Sequence, residues 1–162
     1  MKITIVAVGK LKEKYWKEAL AEYLRRLSAY AKLSEIELSD RGSHTGSPEE
    51  IARLEGEDIL AKLQQIGART GDAFIFALDG SRGKELSSEA LSKQLDDLQL
   101  RGKSKLIFII GGSHGLSPEV LDSVQGLLSL GKQTWPHNMA RVMLAEQLYR
   151  AKTISHNHPY HK

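Results

Sequence analysis

Apolar residues along this chain fall into two kinds of run. Four short stretches, Lys2 to Val8, Leu33 to Leu38, Ala73 to Leu78 and Lys105 to Ile110, are rich in β-branched and aromatic residues and predict strands. From Leu106 to Ile110 no polar residue intervenes, the composition of a central strand covered on both faces. Leu33 to Leu38 alternates apolar and polar positions, which places it nearer a sheet edge. Between these runs apolar positions recur at three and four. Trp16, Ala19, Leu20, Tyr23, Leu24 and Leu27 form one stripe of a helix spanning about Glu13 to Ala31. Ser47, Pro48 and Glu50 have the spacing of a capping box and open a helix that reaches about Ile66. Ser87 or Ser88 opens another, to about Leu100, and Ser117 with Pro118 a fourth, to about Leu127. A short last strand is predicted within Leu128 to Trp135, where Pro136 ends extended pairing. Asn138 is the expected cap of a final helix from Met139 to about Ile154, with Met139, Val142, Met143, Ala145 and Leu148 on one broad face. Asp40 to Pro48, rich in Gly, Ser and Thr, reads as an exposed loop.

Alternating strands and helices imply an α/β fold: a mainly parallel sheet with helices on both faces, joined by right-handed crossovers. Residues 1–162 suffice for one domain, with no linker or internal repeat to divide it. The absence of cysteine excludes disulfides, a thiol nucleophile and thiolate metal ligands, and favours a reducing, cytoplasmic setting. No run approaches membrane-spanning length, so no membrane partner is expected. The net charge of +3 is unevenly distributed: residues 1–32 carry +5, residues 33–102 carry −6 and residues 103–162 carry +4. Two basic ends around an acidic middle suit either a face for a polyanion such as RNA or ordinary solvated helix surfaces.

The central strand runs into Gly111-Gly112-Ser113-His114-Gly115 and then the Ser117-Pro118 helix start. In a parallel sheet, loops at the carboxyl ends of strands and the helix N-termini beside them receive ligands, so this loop is the first site candidate. A tight glycine turn with no ligand has the same composition. The five residues also match the nucleophile elbow of a serine hydrolase, with Ser113 at the corner. That chemistry needs an acid on a later loop, whereas Asp122 falls inside the next helix; His137 is the available base. No Gly-Lys-Ser/Thr follows the glycines, and the dinucleotide spacing is absent, which excludes both phosphate-binding fingerprints. Asp79, ahead of Gly80 at the end of the third strand, is a candidate acid and equally a turn former.

Four of the six histidines fall within the last 26 residues. His156, His158 and His161 lack helix-borne metal spacing and an accompanying carboxylate, so no metal site is expected. Tyr160, the histidines and Lys162 carry donors and an aromatic face suited to RNA, if the tail is ordered.

Val6-Ala7-Val8-Gly9-Lys10-Leu11-Lys12, the segment Phe108 to Ser117, the segment Thr134 to Ala151 and the closing Pro159-Tyr160-His161-Lys162 together resemble the ribosomal large-subunit RNA methyltransferase H family, a branch of the SPOUT or α/β-knot methyltransferases. The resemblance spans nearly the whole chain. It implies a homodimer with a C-terminal trefoil knot that moves a methyl group from S-adenosylmethionine to N3 of a pseudouridine in 23S ribosomal RNA of the assembled ribosome. Carried over by position, it puts cofactor contacts on Leu78, Gly112, Gly131, Lys132, Gln133, Thr134, Trp135 and Pro136. His137-Asn138-Met139 and Trp135 depart slightly from the family pattern and touch only the shape of the pocket. Because N3 of uracil holds a proton at neutral pH, a general base is wanted; His137 and His161 are the candidates, with Tyr160 and Arg150 placing or polarising the base. Direct loss of that proton to solvent is the alternative.

Overall fold

The computed structural model describes residues 1–42 and 45–162, so positions 43 and 44 of the expected loop lie outside the described residues. In chain order it contains β1 (Lys2–Val8), α1 (Lys14–Leu27), β2 (Lys32–Leu38), α2 (Pro48–Gln65), β3 (Ala73–Leu78), β4 (Lys84–Glu85), α3 (Ser88–Leu100), β5 (Lys105–Ile110), α4 (Pro118–Ser123), β6 (Gly126–Ser129) and α5 (His137–Ser155). The six strands form one sheet in the order β2-β1-β5-β3-β6-β4. Every neighbouring pair is parallel.

β5 is central, and its side chains alternate as a strand's must. Leu106, Phe108 and Ile110 enter the core under α1, α3 and α5, while Ile107 and Ile109 face α2 and α4 on the other side. Burial on both faces explains its unbroken apolar run. β2 lies at one edge, in keeping with its alternation. The caps also follow the sequence: Ser47 Oγ accepts from the Glu50 amide at 3.2 Å, and Ser87 Oγ from the Ala90 amide at 3.2 Å.

Several boundaries differ from the sequence reading, each for a tertiary reason. α4 stops at Ser123 rather than Leu127, because Gln125 is drawn onto β3. Its amide donates to Ile75 O at 3.0 Å, and its side-chain oxygen accepts the Ile75 amide at 2.8 Å. The last strand consequently begins at Gly126, two residues before the predicted segment. A Cβ at Gly126 would stand 2.7 Å from the Phe76 ring, so only glycine brings β6 this close to β3. α5 starts at His137 with Pro136 as N-cap, and the Asn138 side chain does not cap it. α1 ends at Leu27, short of Ala31. β4, two polar residues, has no signature in the sequence. β6 lies between β3 and β4, which are consecutive in the chain. No helix among the described residues is long and apolar enough to cross a membrane.

Candidate active site

Three loops at the carboxyl ends of β3, β5 and β6 enclose a cavity of about 740 Å³, closed on a fourth side by the start of α5. This is the size of a small-molecule site. Each loop is held by its own hydrogen bonds. In the first, Asp79 Oδ1 accepts from the Ser81 amide (2.9 Å), the Ser81 hydroxyl (2.9 Å) and the Arg82 amide (2.7 Å). Burial alone would raise the Asp79 carboxyl, but these donors outweigh it and hold it below its ordinary value. Gly83 closes the turn, its amide donating to Asp79 O at 2.9 Å. In the second loop Gly112 and Gly115 pair across the turn, with the Gly115 amide on Gly112 O at 3.1 Å and Gly115 at φ +78°. In the third, Ser129 Oγ donates to Gly131 O at 3.0 Å and accepts the Gly131 amide at 3.2 Å, while Trp135 Nε1–H donates to Leu130 O at 3.3 Å.

All eight residues expected to touch a cofactor, Leu78, Gly112 and Gly131 to Pro136, line this one cavity. His137 lines it too, with its imidazole over Gly9, where a Cβ would stand 3.2 Å from Nε2. The other three catalytic candidates are elsewhere. Arg150 is thirteen residues further along α5 than His137, about 20 Å at 1.5 Å per residue. It donates through Nε to Glu146 at 2.9 Å and lies 4.8 Å from the Tyr160 ring centroid. The Tyr160 hydroxyl donates to Glu146 at 3.1 Å; burial first, and the Glu146 carboxylate second, push this phenol up to about 12. His161 Nε2 is 2.7 Å from Glu89 Oε1 and its Nδ1 is 3.4 Å from Arg150 Nη1. Assigning the ring proton to Nε2 satisfies both contacts and occupies both nitrogens. The tail is thus docked on α5 and the start of α3.

Glu89 gives this docking a pH signature. Its own amide at the helix start, the Ser87 hydroxyl and His161 lower its carboxyl from 4.5 to about 2. A depressed acid stabilises its contacts above its ordinary value and loses that contribution as pH falls through the folded one. Of the three groups that lower it only His161 belongs to the tail, so the His161 contact is expected to weaken as pH falls from 4.5 toward about 2, with Tyr160 kept on Glu146. His161 ring resonances followed through an acid titration should report this step, and Glu89→Gln should remove it. An identical acid profile for both proteins would contradict it.

Two residues of the site's frame escaped the sequence reading. Arg141 is fully buried, with Nη1 on Glu35 (3.0 Å) and Glu37 (2.7 Å) and Nη2 on Gly9 O (2.9 Å). An arginine one turn after His137 on an otherwise apolar stretch was the available signal. Glu55, only 2% exposed, lies beneath Gly112. Asp79, named in the sequence as a candidate acid or a turn former, has its Oδ1 taken up by the three donors of its own turn. Ser113 lines the cavity with His137, but no hydrogen bond joins them among the described residues and Asp122 lies inside α4, so the elbow reading gains no support. Among the described residues no three of His, Cys, Asp and Glu come together as a metal-binding group.

A parallel α/β sheet with a glycine-lined cavity at its carboxyl edge and a final strand inserted between two consecutive ones defines a class, and comparison with known proteins names it. The family model "Predicted SPOUT methyltransferase" matches residues 1–161, and the chain belongs to that family. Within it, the chain is 50% identical to the ribosomal RNA large subunit methyltransferase H of Carboxydothermus hydrogenoformans, 45% to that of an Exiguobacterium strain and 46% to that of Clostridium novyi. Each alignment covers 100% of both chains. Among solved structures, a probable methylase family protein from Haemophilus influenzae is similar in fold, with a TM-score of 0.52 at 11% identity over 99% of this chain and 70% of that one. The protein is a methyltransferase.

Proposed function

We propose that this cytoplasmic enzyme transfers the methyl group of S-adenosylmethionine to N3 of a pseudouridine in 23S ribosomal RNA of the assembled ribosome, acting as a homodimer. The observation that carries the reading is the single cavity lined by Leu78, Gly112 and the Gly131–Pro136 loop. Its lining has one carboxylate, Asp79, one ammonium, Lys132, and one imidazole, His137, too little positive charge for a polyphosphate. A phosphate-free donor needs apolar walls and backbone polar groups, which Leu78, Leu116, Leu128, Trp135 and the glycine turns provide. The missing side chain at Gly131, where nothing lies within 4 Å of a Cβ position, leaves the backbone accessible to it. When bound there, the cofactor supplies an electrophilic methyl carbon for in-line displacement. The placement of β6 between β3 and β4 supports the trefoil knot that the family implies.

The chain's own task is to align the nucleophile and deal with the N3 proton. His137, half-buried at the cavity's α5 end, is the nearer base. Arg150 sits about 20 Å along α5 from His137, with Tyr160 and His161 packed beside it, so a second copy is the natural source of these groups for a given cavity. Basic charge at both ends of the chain suits ribosomal RNA.

The deciding experiment is transfer of a tritiated methyl group to ribosomes from a strain lacking such an activity, followed by mapping of the modified nucleotide. Label at N3 of one 23S pseudouridine is expected. Label on free RNA alone, or at another atom, contradicts the substrate assignment. His137→Ala is expected to lower kcat by about a hundredfold; wild-type turnover at saturating cofactor would remove it as the base.

A further inference from the structure

We propose that Glu55 is a positioning residue for the site: its buried carboxyl, seated against Gly112, holds the Gly111–Gly115 turn in the shape that lines the cavity. This rests on the cavity's being the cofactor site. Glu55 is the only carboxylate among the fully buried described residues. Oε1 accepts the Arg41 amide at 3.0 Å, while Oε2 has no hydrogen-bond partner among the described residues. A Cβ at Gly112 would stand 2.6 Å from Oε2 and 3.1 Å from Oε1, so the carboxyl occupies the volume that any other residue's side chain would need. Val8 Cγ1, 3.1 Å from the same point, closes the other side. The next residue on α2 makes room at the far end of the loop: Ser117 Oγ lies 2.4 Å from where a Cβ of Gly56 would stand. Glu55 thus fills the space against Gly112, and the bare Gly56 lets the Ser117 end close on α2.

Stability alone does not account for an acid here, since burying a carboxyl is costly and an apolar side chain would fill α2's inner face more cheaply. The surroundings favour its neutral form. Burial raises the carboxyl, as does Asp40, while the Arg41 amide and His114 act in the opposite direction. The Arg41 guanidinium is turned to Asp58 at 2.9 and 3.1 Å and leaves Glu55 without a paired cation. The isosteric amide keeps the side chain's volume against Gly112 and is the conservative replacement.

Two measurements test the role, one of them without cofactor. Hydrogen exchange of the Gly115 amide, which closes the turn on Gly112 O, is expected to quicken about tenfold in Glu55→Ala and to stay within about threefold in Glu55→Gln, with the β5 amides unchanged in both. Binding of S-adenosylmethionine by calorimetry then completes a double-mutant cycle. Gly112→Ala is expected to weaken affinity about tenfold in the wild-type background and under about threefold in Glu55→Ala, because the obstructing oxygens are gone. Equal loss in both backgrounds, or wild-type Gly115 exchange in Glu55→Ala, overturns the proposal. Should Glu55→Ala not fold, Glu55→Leu keeps the volume without the oxygens, and wild-type Gly115 exchange in it counts equally against the role. If the unmodified protein binds no S-adenosylmethionine, the cofactor reading fails, and the exchange measurement still decides whether Glu55 holds the turn.

Discussion

Arg141→Ala is expected to lose about 3 kcal/mol of folding stability, the lower end of what breaking a buried ion pair costs. The guanidinium is fully buried and serves Glu35, Glu37 and the Gly9 carbonyl at once. Glu37 Oε1 also takes the Leu11 amide at 3.0 Å, so this one group ties α5 to the ends of β1 and β2. Without it, two carboxylates and a carbonyl are left facing one another. Their side chains remain 27% and 32% exposed, and the water that reaches them is what holds the loss to the lower end. Lysine does not restore the arrangement, because a single ammonium cannot present two planar N–H groups to a carboxylate pair and a third to Gly9. Urea unfolding at pH 7 provides the measurement, and a loss under about 1 kcal/mol would show that the buried fork is not what joins α5 to the sheet. The effect extends to the site, since Gly9 lies under the His137 imidazole.

The second large effect concerns chemistry. Arg150→Ala is expected to lower kcat about a hundredfold while leaving the Kd for S-adenosylmethionine within about threefold. Within one subunit Arg150 belongs to the tail cluster with Glu146, Tyr160 and His161 and does not line the cavity, so cofactor affinity has no reason to follow it. A part for it in methyl transfer would be played toward RNA or toward the cavity of a second copy. A mixed dimer separates these. One subunit carries Gly112→Val in its cavity, and the other lacks residues 156–162. If tail and cavity come from different subunits, each such dimer retains one complete site and recovers about half the wild-type activity. No recovery places both in the same subunit. A parallel weakening of Kd in Arg150→Ala would instead mean that the variant disturbs the fold of α5, which thermal melting would also reveal.

Much of the frame was legible because it is written in short periods. β5 announced itself through an unbroken apolar run, β2 through alternation, and α2 and α3 through the Ser47 and Ser87 caps, each a matter of residues two to four apart. The glycine loop was legible for the same reason: a strand, a turn and a helix start follow one another without a gap. The partition of the candidate residues was not. Leu78, Gly112 and Gly131–Pro136 share a cavity because β6 enters between β3 and β4, a placement that no local period encodes. His137 and Arg150 share a helix, yet the length of α5 puts them at separate places.

What the chain's local order determined by itself was the alternation of strands and helices, the caps that start them, the loop at the end of the central strand and the family to which its motifs point. The tertiary structure alone decided where α4 yields to β6, that a two-residue β4 exists, which acids Arg141 joins, and that Glu55 rests against Gly112. The physical reason is range. A helix face or a pleat is set by neighbours within a turn, whereas Gln125 on Ile75, Arg141 on Glu35 and Glu55 under Gly112 join residues 50, 106 and 57 positions apart, and such contacts exist only once the sheet has brought its strands together.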